Sequence, residues 1–399
     1  LLGVWVVFLG GGLLAGCQTY DFEPVEPLAL AQTTRTIPVA GRRPKPNLML
    51  VIDKSGSMDD PIDRDDPDCV RGGAVCGDNN ECNPAICPTR WSELKSAMGP
   101  FLASNGNLGR MGALLYPRDS VCAHSTLGDI AVHIPASQDV DSELQAAADK
   151  IRDQINGIDP SGGTPTGNTL QGISQYPPLL DATRQNFIVL LTDGLPNCNA
   201  NHPISYKVDP TACRCTLAGA SSCNFFDRQS CLDDQNSVAQ VANLKASGIK
   251  TIVIGFGAET AAGDGPAALN AMAEAGGFAR ACPNGTDAEC GGTPGACSLA
   301  TKLCAQKFYQ AANGDELAKA LEDISGIFDQ DPCLYQLETQ PTDPAYLTVK
   351  VGGTTRPRGP DTWRYDAGYV KFQGALCDTL KFATTDDPIE VEFRVVESL

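Results

Sequence analysis

Three stretches of this chain combine hydroxyls and carboxylates at spacings that could do chemistry. Asn47-Leu-Met-Leu-Val-Ile-Asp53-Lys-Ser55-Gly-Ser57 is an apolar run of strand length that ends in a carboxylate and then presents two hydroxyls at alternate positions. Asn186-Phe-Ile-Val-Leu-Leu-Thr-Asp193-Gly194 is a second buried-type strand, again closed by an aspartate and a turn glycine. Between them, Ser161-Gly-Gly-Thr164-Pro-Thr-Gly is a turn that can hold the Thr164 hydroxyl outward before a helix begins near Thr166. All of these donors are hard oxygens. A cup of one or two carboxylates with hydroxyls and waters suits Mg²⁺, which prefers an octahedral oxygen shell, with Mn²⁺ or Ca²⁺ as alternatives. The same residue types cap helices and make turns, so the chemistry depends on whether the fold brings the three stretches together.

The intervening elements supply a way to do so. Strand-like apolar runs fall at Asn47 to Ile52, Met111 to Tyr116, Ile130 to Ile134, Phe187 to Leu191 and Ile249 to Phe256. Helical patterns fall at Arg90 to Ala103, Ser142 to Ile155, Thr166 to Tyr176, Asp233 to Ser247, Pro266 to Ala275 and Asp315 to Phe328. This alternation predicts an α/β fold with a doubly wound, mostly parallel sheet. In strand order 3-2-1-4-5-6 the first and fourth strands are neighbours where the winding reverses, and ligands bind beyond their carboxyl ends. Asp53 and Asp193 would meet there.

Taken in order, Asp-x-Ser-x-Ser after the first strand, Gly-Gly-Thr-Pro-Thr-Gly mid-domain and Thr-Asp-Gly after the fourth strand resemble the von Willebrand factor A domain with its metal-ion-dependent adhesion site. The resemblance covers roughly residues 46–330. It implies that Asp53, Ser55, Ser57, Thr164 and Asp193 bind a divalent cation, with hydroxyls touching the ion and one or both aspartates acting through water. It also implies that a partner's carboxylate completes the shell, which is binding without turnover.

The amino terminus suggests a compartment. The apolar stretch Leu1 to Gly16 ends at Leu14-Ala15-Gly16-Cys17, which resembles the lipobox of bacterial lipoprotein signal peptides and implies lipidation of Cys17. Several acyl chains would anchor the protein stably. Residues 18–45, rich in proline and threonine, predict an extended tether. Gln18 follows the cysteine, with no aspartate of the kind linked to inner-membrane retention, so the resemblance favours the outer membrane of a bacterial envelope.

Cysteine usage agrees with export. Of 17 cysteines, setting Cys17 aside leaves 16, an even number suited to disulfides. Cys69, Cys76, Cys82 and Cys87 form one quartet, and Cys282, Cys290, Cys297 and Cys304 another. Cys198, Cys213, Cys215, Cys223 and Cys231 form a group of five that Cys122 would complete, leaving Cys333 with Cys377. Zinc is the alternative, but neither quartet has paired Cys-x-x-Cys spacing and the chain has only three histidines. The clusters mark insertions near 59–89, 197–232 and 282–304. The first two should rim the metal end and the third should face the opposite end. The acidic run Met58 to Asp68 adds carboxylates near the cup; it reads first as a solvated acidic loop, with a carboxylate that occupies the open position of the cup, or a second cation such as Ca²⁺, as the alternatives.

From Asp331 to Leu399, alternating stretches such as Tyr346-Leu-Thr-Val-Lys-Val and Ile389-Glu-Val-Glu-Phe-Arg-Val-Val predict a small β-sandwich, with Trp363, Tyr365 and Phe372 as core candidates. A net charge of −18 argues against a nucleic-acid partner. No nucleophile elbow, zinc-protease motif or Walker loop is present, and Gly255-Phe-Gly257 is too short for a dinucleotide fingerprint. The sequence therefore points away from an enzyme. It points to an exported, lipid-anchored binding protein whose metal site captures a carboxylate on a protein or surface ligand. The alternative is an envelope-scaffolding lipoprotein whose site is internally occupied or vestigial.

Overall fold

Strands buried on both faces read as unbroken apolar runs, and the runs that end in Asp53 and Asp193 are of this kind. The structure, a computed structural model, describes residues 34–39, 41–42, 44–71, 74–76, 82–136, 139–217, 220–326, 332–381 and 389–398. The expected signal segment, Cys17 and the tether before residue 34 lie outside the described residues. The central sheet has six strands, β1 (Asn47–Asp53), β2 (Arg110–Tyr116), β3 (Ile130–Val132), β4 (Asn186–Thr192), β5 (Ile249–Phe256) and β6 (Tyr309–Ala311). Every residue of β1, β2 and β4 is buried. The order across the sheet is β6-β5-β4-β1-β2-β3, the predicted doubly wound arrangement. All neighbours are parallel except the short edge strand β3, which runs antiparallel to β2.

Alternation along β1 divides the core between the two faces. Leu48, Leu50 and Ile52 face helices α1 (Arg90–Asn105), α2 (Asp141–Asn156) and, further along the sheet, α6 (Gly314–Ser325). Met49 and Val51 face the layer of α3 (Thr166–Ile173), α4 (Asp234–Ala246) and α5 (Gly265–Ala275). Six helices thus cover both faces, as the patterns predict. Helix α1 starts where Thr89 accepts from the Ser92 backbone N–H and the Ser92 hydroxyl accepts from the Thr89 N–H, a reciprocal capping box. That start fixes the position of Arg90. Helix α3 ends earlier than predicted, because Ser174 to Tyr176 turn into a short 3-10 segment at Pro177–Leu180.

The 16 cysteines other than Cys17 form eight disulfides. Cys69 pairs with Cys87 and Cys76 with Cys82 in the first insertion, while Cys282 pairs with Cys297 and Cys290 with Cys304 in the third. Cys213 pairs with Cys231, Cys215 with Cys223, and Cys122 with Cys198. Cys333 pairs with Cys377. The first and third insertions therefore each have a small sulfur core where apolar side chains are scarce, and no thiolate among these 16 residues is left for zinc. The first two insertions follow β1 and β4 at the carboxyl ends of the sheet, whereas the third precedes the amino end of β6.

A second core unites two four-stranded antiparallel sheets. One is Thr34–Val39, Val391–Ser398, Leu347–Val351 and Thr354–Arg356; the other is Trp363–Asp366, Tyr369–Phe372, Leu334–Leu337 and Gly41–Arg42. Val349, Val351, Phe393 and Val395 from the first meet Trp363, Val370 and Phe372 from the second. Tyr365 packs at the margin, and the unpredicted helix Gly374–Lys381 adds Leu376 and Leu380.

The boundaries of this domain correct the sequence reading. Residues 34–42, expected to be tether, supply an edge strand to each sheet, with Thr34 opposite Ser398 and Val39 opposite Phe393. The physical reason is that Val391–Ser398 would otherwise leave one row of backbone groups unpaired. Pro38 is tolerated because its strand lies at the edge. The expected tether is also over by Lys45. Its backbone N–H donates to Asp139 Oδ2 (3.1 Å), its Nζ to Asp141 Oδ1 (2.5 Å), and its carbonyl accepts from Arg184 Nη1 (2.8 Å). A chain that begins at residue 43 is expected to melt at least about 5 °C below one that begins at residue 30. Equal midpoints in thermal denaturation would show that the two amino-terminal strands add no stability.

Candidate metal centre

β1 and β4 are adjacent and in register, Ile52 opposite Leu191, so the strand tips deliver Asp53 and Asp193 side by side. Both carboxylates are fully buried. Asp53 Oδ1 accepts from the Ser55 N–H (2.9 Å) and its Oδ2 from the Thr192 hydroxyl (2.7 Å). Ser55 and Ser57 place their hydroxyl oxygens 3.1 Å apart, and the Ser57 hydroxyl donates to Asp193 Oδ1 at 3.1 Å. The loop that carries Thr164 is joined to the same strand tip: Ser161 N–H donates to the Lys54 carbonyl and Gly56 N–H to the Gly162 carbonyl, both at 2.8 Å. Thr164 is 4% exposed, and its backbone N–H donates to Asn197 Oδ1 at 2.7 Å.

Gly194 completes the arrangement by what it lacks. A Cβ there would lie 3.6 Å from Ser57 Oγ and 3.9 Å from Thr164 Oγ1, so the space between these hydroxyls stays open. The five residues predicted as ligands thus come together, and each supplies an oxygen.

Burial raises the pKa of Asp53 to about 7, and the neighbouring charge of Asp193 adds to the rise. Burial also raises the pKa of Asp193, against the opposing pull of Arg90. Two desolvated carboxylates that disfavour each other's ionisation are relieved by a cation between or beside them. Hard oxygen donors, an open space beside Gly194 and this strained charge balance all fit a divalent ion, whereas a soft metal would require thiolates.

Sequence reasoning missed Arg90. Its Nη1 donates to Asp193 Oδ2 at 2.7 Å and to the Ser57 carbonyl at 3.3 Å, and its Nη2 donates to Glu259 Oε1 at 3.1 Å. The side chain is 2% exposed. Burial works against its charge, but Asp193 and Glu259 outweigh that and hold its pKa above the ordinary arginine value. The available signal was the Thr-Arg-Trp-Ser capping pattern, which announces a helix start but does not reveal which strand tip that start faces. Asn197 and Thr192 were missed for the same reason, since each acts on the cup through another residue.

The side chain that the structure sets on Asp193 is Arg90. Asp60 Oδ2 accepts from Arg64, while Asp63 and Asp66 accept backbone N–H groups of Asp65 and Asp68. The second insertion rims the cup through the Cys122–Cys198 disulfide, beside Gly163. His202 contacts the Ile204 and Leu232 carbonyls, and His133 contacts Tyr176.

No protein-family model and no curated protein matches the chain. Among solved structures it is similar to the pilus adhesin SpaC from Lactobacillus rhamnosus GG, at 14% identity and TM-score 0.40, over 91% of this chain and 41% of that one. It is also similar to proximal thread matrix protein 1 from the mussel byssus, described with a zinc-occupied MIDAS motif, at 14% identity and TM-score 0.36, over 73% of this chain and 48% of that one. A third is the manganese-loaded TRAP protein of Plasmodium vivax, at 12% identity and TM-score 0.35, over 92% and 96% of the two chains. The chain spans less than half the length of the first two. At these scores the likeness carries no functional argument, and the reading of the site rests on its own geometry.

Thr192 tests how tightly the cup is built. Thr192→Val keeps the shape of a side chain that is 2% exposed but removes the hydroxyl from Asp53. It is expected to cost about 1–3 kcal/mol, read from urea denaturation. An unchanged midpoint would mean that the bond does not support the carboxylate.

Proposed function

We propose that this protein is an exported binding protein of the von Willebrand factor A type. In this reading Asp53, Ser55, Ser57, Thr164 and Asp193 hold a divalent cation, and the cation captures a carboxylate on a protein or surface ligand, for adhesion or complex assembly. The observation that carries the reading is the convergence of two buried carboxylates and three hydroxyls at the point where the winding of the sheet reverses, the place where open α/β sheets bind ligands. The bound ion would supply positive charge for recognition of an acid, and the protein would supply its orientation. Export is supported by eight disulfides, which persist in oxidising compartments. Lipid anchoring through Cys17, in a bacterial envelope and at its outer membrane, belongs to the same proposal and rests on the lipobox and on Gln18 after it.

Arg90 favours a second reading, in which the site is internally satisfied and the protein is an envelope scaffold, because a cationic side chain already neutralises Asp193. Metal binding separates the two. Calorimetry should detect Mg²⁺ or Mn²⁺ binding to the protein, and Asp53→Ala combined with Ser55→Ala should abolish it. A cation at 100 times its dissociation constant should stabilise the fold by about 2.7 kcal/mol, and a chelator should reverse the gain. If neither ion binds the unaltered protein, the scaffold reading stands in place of the first.

A further inference from the structure

We propose that Arg90 is a built-in counter-charge that biases the cup toward an ion together with an external acid and away from the ion alone. The inference rests on the metal reading above and concerns what that site selects. Both oxygens of Asp193 are engaged: Oδ1 by the Ser57 hydroxyl at 3.1 Å and Oδ2 by Arg90 Nη1 at 2.7 Å. Asp193 thereby has a cation of its own. Against Asp53 and Asp193 alone, a divalent ion would find its charge matched. With Arg90 in place, and Glu259 offsetting it only in part, positive charge is left over in a buried site, and an anion from outside would balance it.

The fold makes specific provision for this guanidinium. Gly257, directly after β5, has φ +84°, and a Cβ there would lie 3.1 Å from Arg90 Nε and 3.3 Å from its Cδ. Any larger residue would crowd the arginine as well as strain the backbone. The Gly-Phe-Gly run that is too short to bind a dinucleotide therefore has a use, since Gly257 makes room for Arg90. The first cysteine-rich insertion ends immediately before the helix start that sets the arginine in place, and the Arg90 backbone N–H donates to the Asp60 carbonyl at 3.0 Å. On the far side Glu259, whose side chain is 47% exposed, holds Nη2. Solvent screens that carboxylate, so it offsets the Arg90 charge only in part.

A buried ion pair that merely anchors α1 would share these contacts. The two roles differ in sign. A counter-charge opposes the cation and favours the acid, so its removal must move the two affinities in opposite directions. Mn²⁺ alone is titrated into the protein by calorimetry, and acetate is then titrated into the Mn²⁺-loaded protein, with the relaxation of manganese-bound water protons as the readout. Arg90→Gln is expected to bind Mn²⁺ about tenfold tighter and acetate about tenfold weaker, as loss of one nearby unit charge requires. Glu259→Gln keeps the arginine on Asp193 and Ser57 and is expected to do the reverse, by about two- to threefold because of its exposure. Should Arg90→Gln fail to fold, Glu259→Gln decides the matter. Affinities that shift in the same direction, or do not shift, overturn the inference while leaving the metal reading intact. Unaltered protein that takes up no Mn²⁺ overturns the metal reading and this inference with it.

Discussion

The proximity of two buried carboxylates at the tips of adjacent parallel strands is the constraint on which the rest of the site depends. Asp53 and Asp193 are both out of water, and each makes the other harder to ionise. An uncompensated pair of this kind is costly, because burial of charge without partners opposes folding. The surroundings are organised around that cost. Thr192, Ser55 and Ser57 donate to the carboxylates, Arg90 supplies a full positive charge, and Gly194 leaves space among the oxygens.

The same constraint accounts for the placement of the insertions. The connections after β1 and β4 are where extra chain can be added without disturbing the sheet, and both carry cysteine-rich segments. They also shape the cup. The first insertion delivers the capped start of α1 and so Arg90, and the second supplies Asn197, which fixes the backbone of Thr164. Disulfides are suited to this task because these segments contain too little apolar surface to hold a fixed geometry unaided.

Much of the fold was legible in the sequence. β1, β2, β4 and β5 are long apolar runs whose period cannot be confused with that of the amphipathic helices between them, and the turn residues separating them are clear. The sandwich was legible only in the part that follows Asp331. Thr34–Val39 is short and contains a proline, features that read as tether until Val391–Ser398 is present to pair with it. Helix Gly374–Lys381 was missed because eight residues between strands give too brief a pattern to register. In the site, the five oxygen donors were visible because they recur at fixed spacings near strand ends. Thr192, Asn197 and Arg90 were invisible as a group, since their contacts span sequence separations of 139, 33 and 103 residues.

By itself the sequence determined which residue types stand at the strand ends, that the strands alternate with helices, and that cysteines cluster in three insertions. These are local properties, set by hydrophobic period, turn chemistry and composition. Only the tertiary structure decided which charges face one another. That a helix-capping arginine lies against Asp193, that Gly257 makes room for it, and that an amino-terminal strand completes the carboxyl-terminal sandwich are consequences of packing. Packing joins residues far apart in the chain, and electrostatic balance in a buried site depends on distance in space.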